Sequence, residues 1–249
     1  MALLAATTLP LRAQPVLRLR TCSQAELPLK FDLGNDERPG ICVEIIRALQ
    51  KLDPSLQFNG LERALPLKRV AQELAGDQLD LFFSMIDTPD RVQLGIDFLD
   101  APVLYESRHQ VAVRADDDVV VSSFNDIRQL GAQGQILVTH GTAYVEFLAT
   151  QPGLRVSKLA LSNSQNLKML LHGRGRFFYH AGSTLRSQIA LEGLEDRVRV
   201  LPAVFKADAQ RLAFSPRLPP AWRERVVLAL RQLERSGALQ RLRERYGVD

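Results

Sequence analysis

The chain has 249 residues, 46% of them hydrophobic and 24% charged, a globular composition long enough for one large domain or two lobes. Its formal charge of +4, from 32 basic and 28 acidic residues, is too mild to argue for nucleic acid. No apolar run approaches the roughly 18–20 residues of a membrane span. The two cysteines and four dispersed histidines have no metal-ligand spacing, so neither a metal nor a cofactor is expected.

The first residues, MALLAATTLPLRAQ, run from apolar to small to polar. They read as the end of a secretory signal peptide (residues 1–15) that lacks its basic n-region. Val16–Thr21 then reads as a strand, and E-R-P-G-I at 37–41 as a turn. Cys42–Leu52 has Val43, Ile46 and Leu49 at helical spacing. Leu56–Asn59 is a short strand. Glu62–Ala75 reads as a helix stopped by Gly76, and Leu79–Ser84 as a buried strand. The β-α-β-α-β order implies a parallel sheet covered by helices.

Residues 84–91 read S-M-I-D-T-P-D-R, which places Arg91 just past a strand end, where side chains reach a cleft. It either meets a ligand or bonds nearby carboxylates such as Asp87 and Asp90. A second alternating unit follows. Its strands are predicted at Gln110–Arg114, Gln135–Thr139, Val156–Leu159, Phe177–His180 and Arg197–Val200. Its helices are predicted at Ser123–Leu130, Gly141–Thr150, Ser164–Leu171 and Thr184–Leu191. Strand-like Leu212–Ser215 and helices Pro220–Arg235 and Leu239–Tyr246 end the chain. Arg241, Arg243 and Arg245 lie among glutamates and read as a solvated helix face. Two open α/β units meeting along their strand C-termini create a cleft suited to a ligand.

The order of these elements, with the phrases G-I-C-V-E-I-I-R-A-L, G-D-Q-L-D-L-F-F-S-M, T-P-D-R-V-Q-L-G-I-D-F, H-G-T-A-Y and S-G-A-L-Q-R-L-R-E-R-Y-G, resembles the bacterial periplasmic solute-binding proteins of the amino-acid-binding type, as a divergent member. The resemblance implies a type II Venus-flytrap fold of class α/β. One lobe spans residues 16–107 and 208–249, the other 108–207, with hinges near Ser107–Val111 and Val204–Gln210. It also implies a monomeric periplasmic carrier that captures a small solute and delivers it to an ABC permease in the inner membrane.

The resemblance gives the T-P-x-R arginine, Arg91, a ligand carboxylate to hold, with Thr88 and Asp87 beside it. Guanidinium is planar and permanently charged, and it matches a carboxylate fork. Gly141-Thr142 would close over the same carboxylate. Where amino-acid binders carry an aspartate for the ligand ammonium, this chain has G-R-G-R-F-F-Y-H-A-G, with no carboxylate. An ordinary amino acid is therefore an uneasy ligand. Ile86 stands near a position where that family often has a hydroxyl. Tyr179 or His180 is a candidate contact, and strand alternation allows only one of them to face the cleft. Arg63, in L-E-R-A-L-P-L-K-R, is a candidate second cation, and Glu26 a candidate at the pocket roof. Cys22 and Cys42 either form a bridge in an oxidising compartment or are two small buried side chains. A cyclohexadienyl-dehydratase-like enzyme and a ligand-sensing module are the alternatives on the same fold.

Overall fold

The structure is a computed structural model that describes residues 15–249. All but the last residue of the segment read as a secretory leader lies outside the described residues.

The chain opens with β1 (Leu17–Arg20), β2 (Ser23–Gln24), α1 (Ile41–Leu52), β3 (Leu56–Asn59), β4 (Ala64–Leu65), α2 (Leu67–Ala75) and β5 (Leu81–Met85). β1 pairs parallel with β3, and β2 parallel with β4. Asp80 N–H donates to Arg20 O, which ties the start of β5 to the end of β1. α1 buries Ile41, Cys42, Ile45, Ile46 and Leu49 along one face, and Glu44 and Lys51 sit at the ends that suit the helix dipole. Gly40 precedes it at φ 99°, where a Cβ would meet Lys30 O at 2.4 Å. Only glycine fits there, and the close approach lets Cys42 N–H donate to Lys30 O at 3.1 Å.

Two expectations change here. α2 starts at Leu67, not Glu62, because Pro66 holds the residue before it extended. Ala64 and Leu65 accordingly join a strand. A short helix, α3 (Pro89–Gln93), also follows β5. Thr88 is its N-cap, accepting from Arg91 N–H, and Pro89 fills the first position, where its missing N–H costs nothing.

Next come β6 (Asp97–Phe98), β7 (Tyr105–Arg114), α4 (Phe124–Gln129), β8 (Gln135–Leu137), α5 (Ala143–Ala149), β9 (Arg155–Ser157), α6 (Asn163–Leu171), β10 (Phe177–Ala181), α7 (Gly182–Leu191) and β11 (Val198–Val200). Ser123 starts α4 with a full capping box to Asp126. β12 (Lys206–Phe214), α8 (Pro220–Arg235) and α9 (Ala238–Tyr246) close the chain. The arginines of α9 are not uniformly solvated. Arg243 is buried, donating to Leu104 O at 3.0 Å and Val103 O at 2.7 Å and pairing with Glu234, so it clamps α9 to the lead-in of β7.

The apolar core divides in two. One part draws on Leu19, Ile45, Phe82, Phe214, Leu230 and Leu239. The other lies on both faces of β10, with Phe177 and Tyr179 packing one way and Phe178 the other. Each large buried side chain contributes roughly 2–3 kcal/mol. β7 and β12 join the two parts. They pair antiparallel from Lys206↔His109 to Gln210↔Tyr105. β12 then runs on against β5, with Leu212 opposite Phe83, while β7 runs on against β10, with Val111 opposite Tyr179. The architecture is a two-lobed α/β fold with a double-stranded crossing between its lobes.

Candidate functional site

A cavity of about 430 Å³ opens where the lobes face each other. That volume suits a small molecule. One wall is the 24–30 loop, the end of β5 at Ser84–Ile86, and Arg91. The crossing strands supply Tyr105, Ser107 and Gln210. The opposite wall brings Thr139–Tyr144, Asn163 and the turn from β10 into α7. Much of the surface is apolar, from Leu27, Leu29, Leu67, Met85 and Ile86. Glu26 is the sole acidic side chain among the lining residues; it is exposed, with its backbone at φ 59°.

Arg91 is 8% exposed and lines the cavity. Its Nη1 donates to Ile86 O at 2.6 Å, which fixes the guanidinium against the strand end. It forms no ion pair among the described residues. Burial lowers its pKa, and the charges of Glu146, Tyr144, Asp87 and Asp90 act against that at longer range.

A second buried cation stands on the same wall, and it was not among the candidates. Lys30 is 8% exposed. Its Nζ donates to Ser84 O at 3.0 Å, Gln24 Oε1 at 3.3 Å and Gln210 Oε1 at 3.4 Å, all uncharged acceptors. Burial, opposed in part by Cys42 and helped by the Arg91 charge, pushes its ammonium down to about 8. Ser84 holds a left-handed φ of 74°, uncommon outside glycine. Its hydroxyl meets Tyr105 OH at 2.6 Å and Gln210 Oε1 at 2.9 Å. The only sequence signal for this network is a lysine inside the apolar run L-P-L-K-F.

On the opposite wall, Thr139 Oγ1 donates to Asn163 Oδ1 at 2.7 Å and accepts from Asn166 Nδ2 at 2.9 Å. Thr142 is the N-cap residue of α5, but its hydroxyl donates to Thr139 O at 2.8 Å rather than capping the helix. Gly141 lines the cavity at φ 75°, with open space where a side chain would begin. Of the pair Tyr179 and His180, His180 lines the cavity. Its Nδ1 accepts from Ala181 N–H at 2.8 Å, which places the ring proton on Nε2. Burial, with the charges of His109 and Lys30, pushes it down to about 3, so it is neutral. Tyr179 turns into the second lobe, where its hydroxyl meets His109 Nδ1 at 2.8 Å.

The other candidates sit outside the cavity lining. Arg63 pairs with Glu73 of α2 at 3.0 Å, drawn there by a buried carboxylate. Asp87 faces Arg211 at 3.5 Å, and Thr88 is occupied in capping α3. Cys22 and Cys42 are separate buried thiols, pushed up to about 12 by burial.

A cleft closed on one side by two crossing strands, with polar side chains converging from both lobes, decides the architecture. The chain has the two-lobed fold of the periplasmic binding proteins. The substrate-binding protein of an amino acid ABC transporter superposes with a TM-score of 0.71 at 18% identity, over 92% of this chain and 98% of that one. An ancestral amino acid-binding protein, a precursor of cyclohexadienyl dehydratase, gives 0.71 at 19% identity, over 92% and 95%. A histidine kinase sensor domain with similarity to periplasmic binding proteins gives 0.74 at 16% identity, over 93% and 96%. No family model matches the sequence, and no curated protein matches it. Among the described residues, no helix of this binding-protein fold is long and apolar enough to cross a membrane.

Proposed function

We propose that the protein is a periplasmic solute-binding protein that captures a small carboxylate-bearing solute and hands it to an ABC importer. The lobes would be residues 16–107 with 208–249, and 108–207. The observation that carries this reading is Arg91: a buried guanidinium on the cavity wall, held by one backbone carbonyl and lacking an ion pair among the described residues. Such a group costs stability unless it has a use. A carboxylate in the cleft gives it one. Thr142 and His180 line the same cavity from the other lobe and would close over the ligand. Binding is favoured over catalysis because acid-assisted elimination needs a positioned acid with a tuned pKa, and the lining carboxylate, Glu26, is exposed.

The test is native mass spectrometry of freshly purified protein, followed by small-angle scattering with and without the small molecule recovered. A bound carboxylate and a smaller radius on its addition are expected. No bound molecule, and no compaction with any solute tried, would reject the reading.

A further inference from the structure

We propose that the ligand is a small organic dianion without an ammonium group, of the dicarboxylate class, and that Lys30 is the residue that selects its second acidic group. This rests on the solute-binding reading above and narrows it.

Three observations carry the proposal. First, the buried charge lining the cleft has one sign. Lys30 and Arg91 are both buried on the same wall, and neither has an ion pair among the described residues. The lining acid, Glu26, is exposed. An ammonium taken out of water needs an anionic or multi-acceptor partner, and a zwitterion would bring its cation toward two others. Second, the two cations are placed by one strand end. Lys30 donates to Ser84 O and Arg91 to Ile86 O. Those carbonyls are two residues apart, at most about 7 Å. That spacing brackets two carboxylates separated by a few carbons, and the apolar walls suit an uncharged middle. Third, the Lys30 bonds are exchangeable. Two run at 3.3 and 3.4 Å to the amides of Gln24 and Gln210, which line the cavity themselves. A carboxylate oxygen is a stronger acceptor than an amide and would take one of these positions. The opposite wall adds no acidic side chain to the lining; its polar groups include Thr142, Asn163 and His180.

The experiment is calorimetric titration of the full chain, freed of bound ligand by dialysis. The probes are α,ω-dicarboxylates of four to seven carbons, the monocarboxylates of the same lengths, and the twenty amino acids. At least one dicarboxylate should bind thirtyfold or more tighter than its monocarboxylate. Lys30→Met should weaken that dicarboxylate at least tenfold and its monocarboxylate several-fold less, and Lys30→Arg should retain most of the dicarboxylate affinity. Circular dichroism of each variant checks the fold. An amino acid bound as tightly as the best dicarboxylate would overturn the proposal and leave the solute-binding reading standing. So would equal dicarboxylate affinity in Lys30→Met. If no dicarboxylate binds, the proposal falls. If native mass spectrometry and scattering also show no ligand and no closure, the solute-binding reading falls with it.

Discussion

Lys30 donates to the carbonyl of Ser84, a residue held at a left-handed φ of 74° at the end of β5. A buried ammonium and a strained strand end thus support each other at the cleft. Burial holds Lys30 at about 8 in the folded chain, against an ordinary value of 10.5. Keeping it charged at neutral pH costs about 3 kcal/mol. Lys30→Met removes that cost and loses three bonds to neutral acceptors. The ligand-free variant should melt a few degrees above wild type by calorimetry. A lower melting temperature would make Lys30 a net stabiliser.

The same group sets a pH dependence. Folding lowers the Lys30 pKa, so between about 8 and 10.5 the unfolded chain holds more protons. Ligand-free stability from this group therefore rises with pH across that window. Anion affinity moves the other way. Above about 8 the ligand must bring a proton with it, so affinity should fall by up to tenfold per pH unit. Cys42, Arg91 and His180 are coupled to Lys30; Cys42 is pushed up to about 12 and His180 down to about 3, so neither of these two changes charge between pH 7 and 10. Titrations at pH 7 and 9.5 check this, and Lys30→Met should flatten the profile.

Arg91→Lys keeps the charge but loses the planar fork, so it should bind the recovered ligand at least tenfold more weakly. Arg91→Ala should cost about 1.5–3 kcal/mol or more of binding. Melting temperatures without ligand should change little in comparison. Equal affinity across the three proteins would make Arg91 a structural residue.

His109 and His180 are both pushed down to about 3, His109 by burial and the Lys206 charge, despite Asp208 Oδ2 lying 3.2 Å from its Nε2. Their folded values lie below the ordinary 6.5, so the unfolded chain binds more protons between pH 6.5 and 3. Stability therefore falls as pH drops through that window, by roughly 2 kcal/mol for each histidine at pH 5. Urea midpoints at pH 7.5 and 5 measure it. His109→Gln should lessen the difference; an unchanged difference would assign the acid sensitivity to other groups.

Gly40→Ala should be among the most disruptive small substitutions. It adds a Cβ at φ 99° that would meet Lys30 O at 2.4 Å. A loss above about 3 kcal/mol in urea denaturation is expected. Ligand affinity should fall too, because the backbone under Lys30 must shift.

Legibility in the sequence followed the range of the forces involved. Leu56–Asn59 and Pro220–Arg235 have the same bounds in the structure as in the pattern, because local periodicity and proline determine them. Thr88-Pro89 carries the signature of a helix start, but the dense apolar run of β5 just before it is the stronger local pattern. Lys30 was invisible for another reason. L-P-L-K-F reads as an apolar segment with one side chain in water. What buries the ammonium is Ser84 and Gln210, far along the chain. Arg63 had the converse fate: a cation near the cleft in sequence, drawn off by Glu73.

The way the first core is assembled has a consequence for synthesis. Its strands and helices come from residues 17–105, yet Phe214, Leu230 and Leu239 complete it from the far end of the chain. The buried residues of the second core, apart from Ile86, all lie within residues 111–201. A nascent chain emerging N-terminus first therefore holds the makings of one lobe that must wait and one that can form early. Until β12 and the last two helices arrive, β5 lacks its antiparallel neighbour and α1 its two helical packing partners. The N-terminal third therefore cannot complete its packing until nearly the whole chain has been made.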